Sequence, residues 1–211
     1  MDGGADPLTT PRPDPTVLIS AKELPVQRVA FVGIVGALAL GTALSVAALD
    51  AVEGLLGTEN FALGARLLLP VPLGLAFAAA GAAHFALRDV FEGITPPRGT
   101  WGLWEVPAPG AELLGLTYAQ YHSYWTGTVE IVFGLALALS GLGLAPVPVQ
   151  LPAAVLLLLT ICVTPANIYM FTHDAQMGPS IPPLKYPESH LLRGAVQMLL
   201  LAVWWKLATL P

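Results

Sequence analysis

The chain has 211 residues, of which 55% are hydrophobic and 11% charged, with a mean hydropathy of +0.69. A soluble domain carries roughly 25% charged residues, so this deficit excludes an ordinary water-soluble globule and points to a lipid bilayer. The net charge of −5 sits in the connections between apolar runs, and no basic stretch is long enough to hold nucleic acid.

Residues 1–25 form a polar arm with five prolines (Pro7, Pro11, Pro13, Pro15, Pro25) and are expected to be extended or disordered. The arm lacks the basic start and short apolar run of a signal peptide, and it is too poor in Arg and Ser for a transit peptide. Residues 29–49 follow, 21 in a row without a charge, enough to cross a hydrocarbon core of ~30 Å. Gly33, Ala37, Gly41 and Ser45 recur every fourth residue, a small-residue stripe that lets another helix come close. An acidic loop is expected over 50–65. The second span is predicted over 67–87, between Arg66 and Arg88, with Pro70 and Pro72 in its first turns and a second stripe at Gly74, Ala78 and Ala82.

Residues 89–120 read as a long connection. Its Trp101 and Trp104, with Tyr118, Tyr121, Tyr124 and Trp125 beyond, suit a membrane–water interface, and 111–118 is expected to be a short interfacial helix. The third span is predicted over 123–144, the fourth over 151–171 with Pro165 interrupting it near its end, and the fifth over 190–207. A proline-rich loop is expected over 172–189. The single cysteine, Cys162, cannot form an internal disulfide or a CxxC pair, which excludes dithiol–quinone exchange within one chain; it is expected to be a small buried apolar residue.

Five spans put the termini on opposite sides. One face then collects seven Lys and Arg residues against two on the other, which predicts that the N-terminus lies on the cytoplasmic, matrix or stromal side. All four histidines fall near that face. Inside the spans lie Glu130, Asn167 and Gln197, each about 10 Å in from it by helical rise. A carboxylate within a lipid-spanning helix needs a partner or a polar interior. Gly127, Glu130 and Gly134 share one helix face, as do His190, Arg193 and Gln197. The expected site is therefore a cluster of His84, Glu130, Asn167, Arg193 and Gln197, serving either as a polar plug that fixes helix register or as a ligand site. His122, His173 and His190 are secondary candidates. No two histidines have helical metal-ligand spacing, so no metal site is expected.

Several pieces of the chain occur together in a known order. They are Gly81-Ala-Ala-His84-Phe85 closing one span and Trp125-Thr126-Gly127 with Glu130-Ile131 and Gly134 in the next. Pro165-Ala-Asn-Ile-Tyr-Met170 and then His190, Arg193 and Gln197 follow. This ordered set resembles the DoxX family of small four-span membrane proteins, over residues 66–208. Thr126 stands where the family usually has Ser, and the 29–49 span and the long 93–120 connection lie outside its pattern. The resemblance implies an antiparallel four-helix transmembrane bundle; with the 29–49 span as one extra N-terminal transmembrane helix, the expected fold is an all-α integral membrane protein. Some relatives of that kind are named for association with thiosulfate:quinone oxidoreductase.

Two functions follow as expectations. One is a non-catalytic accessory or assembly subunit of a larger respiratory or photosynthetic redox complex, in contact with the lipid bilayer and other subunits. The other is a quinone-linked oxidoreductase membrane subunit using the Glu/His/Asn/Arg site. Quinone, chlorophyll and haem are the conceivable ligands, and the sequence requires none of them; electrons would come from a partner, because no flavin or iron–sulfur motif is present.

Overall fold

The computed structural model describes residues 12–178 and 181–211. The described residues are helical and contain no strand: α1 (Leu24–Leu56), α2 (Thr58–Leu68), α3 (Pro70–Ala86), α4 (Arg88–Glu92), α5 (Tyr118–Gly141), α6 (Gln150–His173) and α7 (Glu188–Ala208). Five helical stretches are long and apolar enough to cross a membrane: α1, α2 with α3, α5, α6 and α7.

The elements differ from expectation in instructive ways. The first eleven residues of the arm, like Pro179 and Ser180 of the proline-rich loop, lie outside the described residues. The rest of the arm is ordered into two 3-10 turns, Pro15–Val17 and Ile19–Ala21, and Pro25 sits in the first turn of α1, where its missing N–H costs nothing. No acidic loop exists over 50–65. Instead α1 continues to Leu56, and α2 begins after Gly57, whose φ of 81° only glycine adopts without strain. The expected second span is two helices, parted at Leu69 just before Pro70. Residues 111–118 hold a single 3-10 turn, Glu112–Leu114, rather than a helix. Pro165 does not interrupt α6, which runs on to His173. Cys162 is exposed, not buried: it lies on the outer face of α6, in a run with the exposed Leu158 and Ile161.

Two compact units share these helices. The second, residues 37–86, 124–163 and 195–211, has an apolar core of Ala62, Leu137, Leu156, Trp204 and Leu207 with their neighbours. Within it α3 and α5 run antiparallel with their backbones in contact. A Cβ on Gly81 would fall 2.5 Å from the Gly127 carbonyl oxygen, and one on Gly74 2.5 Å from that of Gly134. A Cβ on Gly141 would meet the Pro70 side chain at 2.7 Å. Gly127, Gly134 and Gly141 are seven residues apart, as are Gly74 and Gly81, so one face of each helix returns to the contact every two turns. The predicted stripe at Gly74 and Ala78 is used, but its third member is Gly81; Ala82 is exposed. The C-terminal part of α1 is held by Lys206, which donates to Asp50 at 2.9 Å and also to Glu53. Of the α1 stripe, Gly41 admits the Met198 side chain, whereas nothing lies within 4 Å of a Cβ at Gly33 or Gly36.

The first unit, residues 12–36, 87–123 and 164–194, is organised around Trp101. This side chain is only 1% exposed, and its residue takes the left-handed φ of 55° between Gly99 and Gly102. Its indole N–H donates to Thr172 Oγ1 at 3.1 Å, and its ring packs on Phe31 at 4.6 Å. Trp101 is thus an internal anchor and not part of an interfacial belt. Arg28 donates to the Trp101 and Gly102 carbonyls at 3.4 and 3.3 Å. The arm is tied down by Arg12, which donates to the Asp174 carboxylate at 2.6 Å and to its carbonyl at 2.8 Å.

Two outcomes follow from these contacts. Gly81→Ala and Gly127→Ala each force α3 and α5 apart and should cost about 1–3 kcal/mol, lowering the melting temperature in detergent; Gly64→Ala, with nothing within 4 Å, should leave it unchanged or slightly raised. Asp174→Ala removes the arm's carboxylate anchor, and limited proteolysis between Arg12 and Glu23 should become markedly faster while α6 and α7 stay protected.

Candidate functional site

The α3–α5 contact sets the position of Glu130. Gly127 and Glu130 are three residues apart on α5 and so present the same face. Across that face lies His84, one turn beyond Gly81 on α3. The two backbones approach closely enough that a Cβ on Gly127 would sit 2.6 Å from His84 Cβ. With no side chain at 127, the imidazole reaches past α5, and its Nε2 lies 3.4 Å from Glu130 Oε2. Both side chains are largely buried, with exposures of 8% and 12%. The separation is that of an ion pair, yet the approach is not that of a hydrogen bond: Glu130 Oε2 is buried with no hydrogen-bond partner among the described residues. Phe85 stacks on Tyr124 at 5.2 Å one residue further along α3. Gln197, also in this unit, is buried at 5% exposure.

A buried carboxylate oxygen without a donor is an uncommon state, because such groups are ordinarily satisfied by protein or water. A carboxylate facing an imidazole can hold and pass a proton, and can accept a hydrogen bond from a polar ligand head. Glu130 Oε2 therefore has hydrogen-bonding capacity that no described residue uses.

Asn167 and Arg193 form a pair of their own in the other unit. Arg193 Nη2 donates to Asn167 Oδ1 at 2.6 Å, so at least one arm of the guanidinium is taken by α6. Pro165, two residues before Asn167, carries no N–H, which leaves the local helix ladder one donor short without ending it.

The three secondary histidines are packed among aromatic rings in the first unit. His122 stands edge-on to Tyr118 at 4.4 Å and Tyr121 at 5.4 Å. His173 contacts Tyr169 at 4.7 Å and Trp101 at 5.8 Å, with its Nδ1 2.8 Å from Thr172 Oγ1. His190 lies beside Tyr186 and Phe171, and its Nε2 is buried with no hydrogen-bond partner among the described residues. Tyr186 has its hydroxyl pKa raised, first by burial and then by the charge of Asp174. At the arm, Asp14 has its carboxyl pKa lowered by the Thr16 backbone N–H and hydroxyl that donate to it. Among the described residues no three His, Cys, Asp or Glu side chains gather as a metal site would need.

Several important residues carry no signal in the sequence. Asp174 and Arg12 are 162 positions apart, and neither has a pattern that announces the other. Trp101 looks like any interfacial tryptophan until Thr172 is placed beneath it. Gly81 did have a signal, its seven-residue spacing from Gly74, which a four-residue stripe overlooks. Comparison with protein-family models, with curated proteins and with solved structures finds no match to this chain.

Proposed function

We propose that the chain is an integral membrane protein, a DoxX-like four-helix bundle with an added N-terminal helix, that serves as a non-catalytic accessory or assembly subunit of a larger respiratory or photosynthetic redox complex. The observation that carries this reading is α1. It is 33 residues long, and Gln27 is its only buried residue. Its most apolar window is 0% buried, against 22–33% in the other four spans. Lipid alone can cover an apolar helix, but it gives no reason for glycines at 33 and 36. Small residues on an uncovered face let another helix come to backbone contact, as Gly74 and Gly81 do inside this chain. The occupant this face fits is an apolar transmembrane helix of a partner subunit, on the lipid-facing side of α1. The positive-residue count puts the N-terminus on the cytoplasmic, matrix or stromal side.

The paired substitution Gly33→Leu with Gly36→Leu tests the docking. Nothing lies near either Cβ position, so the chain should keep its own melting temperature. Co-purification of the partner subunits after mild solubilisation should fall about tenfold or more, as loss of ~1.4 kcal/mol requires. Full retention of the partners by the double variant would end the docking reading. The visible spectrum of the gently purified complex reads at the same time whether pigment or haem accompanies it.

A second reading is favoured by the Glu130 oxygen. A quinone bound at the His84–Glu130 pair would accept a hydrogen bond from the protonated Glu130, and the quinol would donate its hydroxyl to the Glu130 carboxylate, with the electrons supplied by a partner's cofactor. His84 and Glu130 would then hold and deliver the protons that reduction of a quinone consumes. Glu130→Gln keeps the shape and removes the exchangeable acid. Quinone reduction by the intact complex should fall about 10²-fold, the scale of a lost general acid–base, with the partner content of the complex unchanged. An unaltered rate in that variant would sink the quinone reading and leave the accessory one standing.

A further inference from the structure

The connection between α4 and α5 encloses an open hollow of about 720 Å³, within the ~300–1,000 Å³ of small-ligand sites. Its wall is mainly apolar, with Pro97, Ala108 and Leu116, and it carries two charges of opposite sign, Arg98 and Glu112. Arg98 lies over the Tyr118 ring, 5.0 Å from its centroid, which steadies a side chain that would otherwise be mobile. Among the described residues neither Arg98 nor Glu112 joins a salt bridge. Both charges are exposed.

A separate observation concerns what lies beside the hollow. The turn Glu112–Leu114 holds Leu113 at 92% and Leu114 at 68% exposure. Exposed leucines on the long helices need no comment in a bilayer, but these two lie outside every candidate span. Two adjacent bare leucines on a short turn, next to a charged hollow, have the composition of a segment that dips into the headgroup–acyl boundary.

We propose that this hollow binds the headgroup of a zwitterionic phospholipid, phosphoethanolamine, with the phosphate at Arg98 and the ammonium at Glu112. The acyl chains leave along Leu113 and Leu114. The guanidinium suits phosphate, a planar donor set against an anion with several acceptor oxygens. The carboxylate selects against a headgroup that is only anionic, because such a lipid would bring a second negative charge with nothing to neutralise Glu112. This inference rests on the reading of the chain as membrane-embedded and is independent of the partner and quinone sites.

Native mass spectrometry of the full chain in mild detergent tests it, using dioleoyl phosphatidylethanolamine, dioleoyl phosphatidylglycerol and free phosphoethanolamine as probes. The wild type should retain one phosphatidylethanolamine in preference to phosphatidylglycerol. Arg98→Gln should lower that retention about tenfold, the scale of a lost charge-assisted hydrogen bond, while Arg98→Lys keeps most of it. Glu112→Gln should remove the preference between the two lipids, a switch that mere unfolding cannot produce. Equal retention in wild type and Arg98→Gln, an unchanged preference in Glu112→Gln, or free phosphoethanolamine displacing the lipid at equal concentration would each overturn the site. Alkaline carbonate extraction of the same membranes separates the two levels: a chain that stays in the membrane yet holds no lipid overturns the headgroup site alone, and a chain that is extracted overturns both readings.

Discussion

The close approach of α3 and α5 is the constraint on which the rest of the polar chemistry depends. Two helix backbones touch only where side chains are missing, and here the gaps fall at Gly74, Gly81, Gly127, Gly134 and Gly141. Helix association within a bilayer gains nothing from the hydrophobic effect, since lipid tails are as apolar as leucine, so packing at such contacts supplies the attraction. The same contact brings His84 to Glu130. Widening it by one methyl group would move the imidazole away from the carboxylate and leave a buried acid alone.

The polar residues inside the spans are handled in two different ways. Asn167 and Arg193 meet in a hydrogen bond of 2.6 Å, a contact that ties α6 to α7 and accounts for at least one donor on the guanidinium. His84 and Glu130 meet without a hydrogen bond. The first arrangement fastens two helices by a hydrogen bond, and the second sets a carboxylate oxygen at ion-pair distance from an imidazole. Sequence spacing gives the depth of each of these residues along its helix and not the angle at which side chains meet.

What the sequence makes legible follows from the physics that each signal reports. Apolar length is local and cumulative, so the five long apolar stretches are legible, with their ends displaced and the second divided into two helices. Ends depend on single residues: Gly57 and Pro70 convert an expected loop and span into α2 and α3. The presence of Glu130 in a hydrophobic helix is plain from the sequence, and so is its sharing of a face with Gly127. Its partnership with His84 rests on the register between two helices separated by a long connection, which no local pattern encodes. Trp101 shows the same limit, since its burial depends on Phe31, Tyr169 and Thr172 from distant parts of the chain. Cys162 shows a further limit: the exposed side of α6, with Leu158 and Ile161, has the apolar composition of a protein core, so composition alone does not tell outside from inside.

The antiparallel pairing of α3 and α5 also has a meaning in time. Gly81 and His84 leave the ribosome well before Gly127 and Glu130, at ~5–20 residues per second a lead of a few seconds or more. During that interval α3 has its glycine face bare and its histidine has not yet met the carboxylate. Glu130 then arrives on an apolar helix, after the groove on α3 that receives it. Biogenesis of the chain is thereby ordered: the base and its groove are laid down first, and the acid is inserted against them.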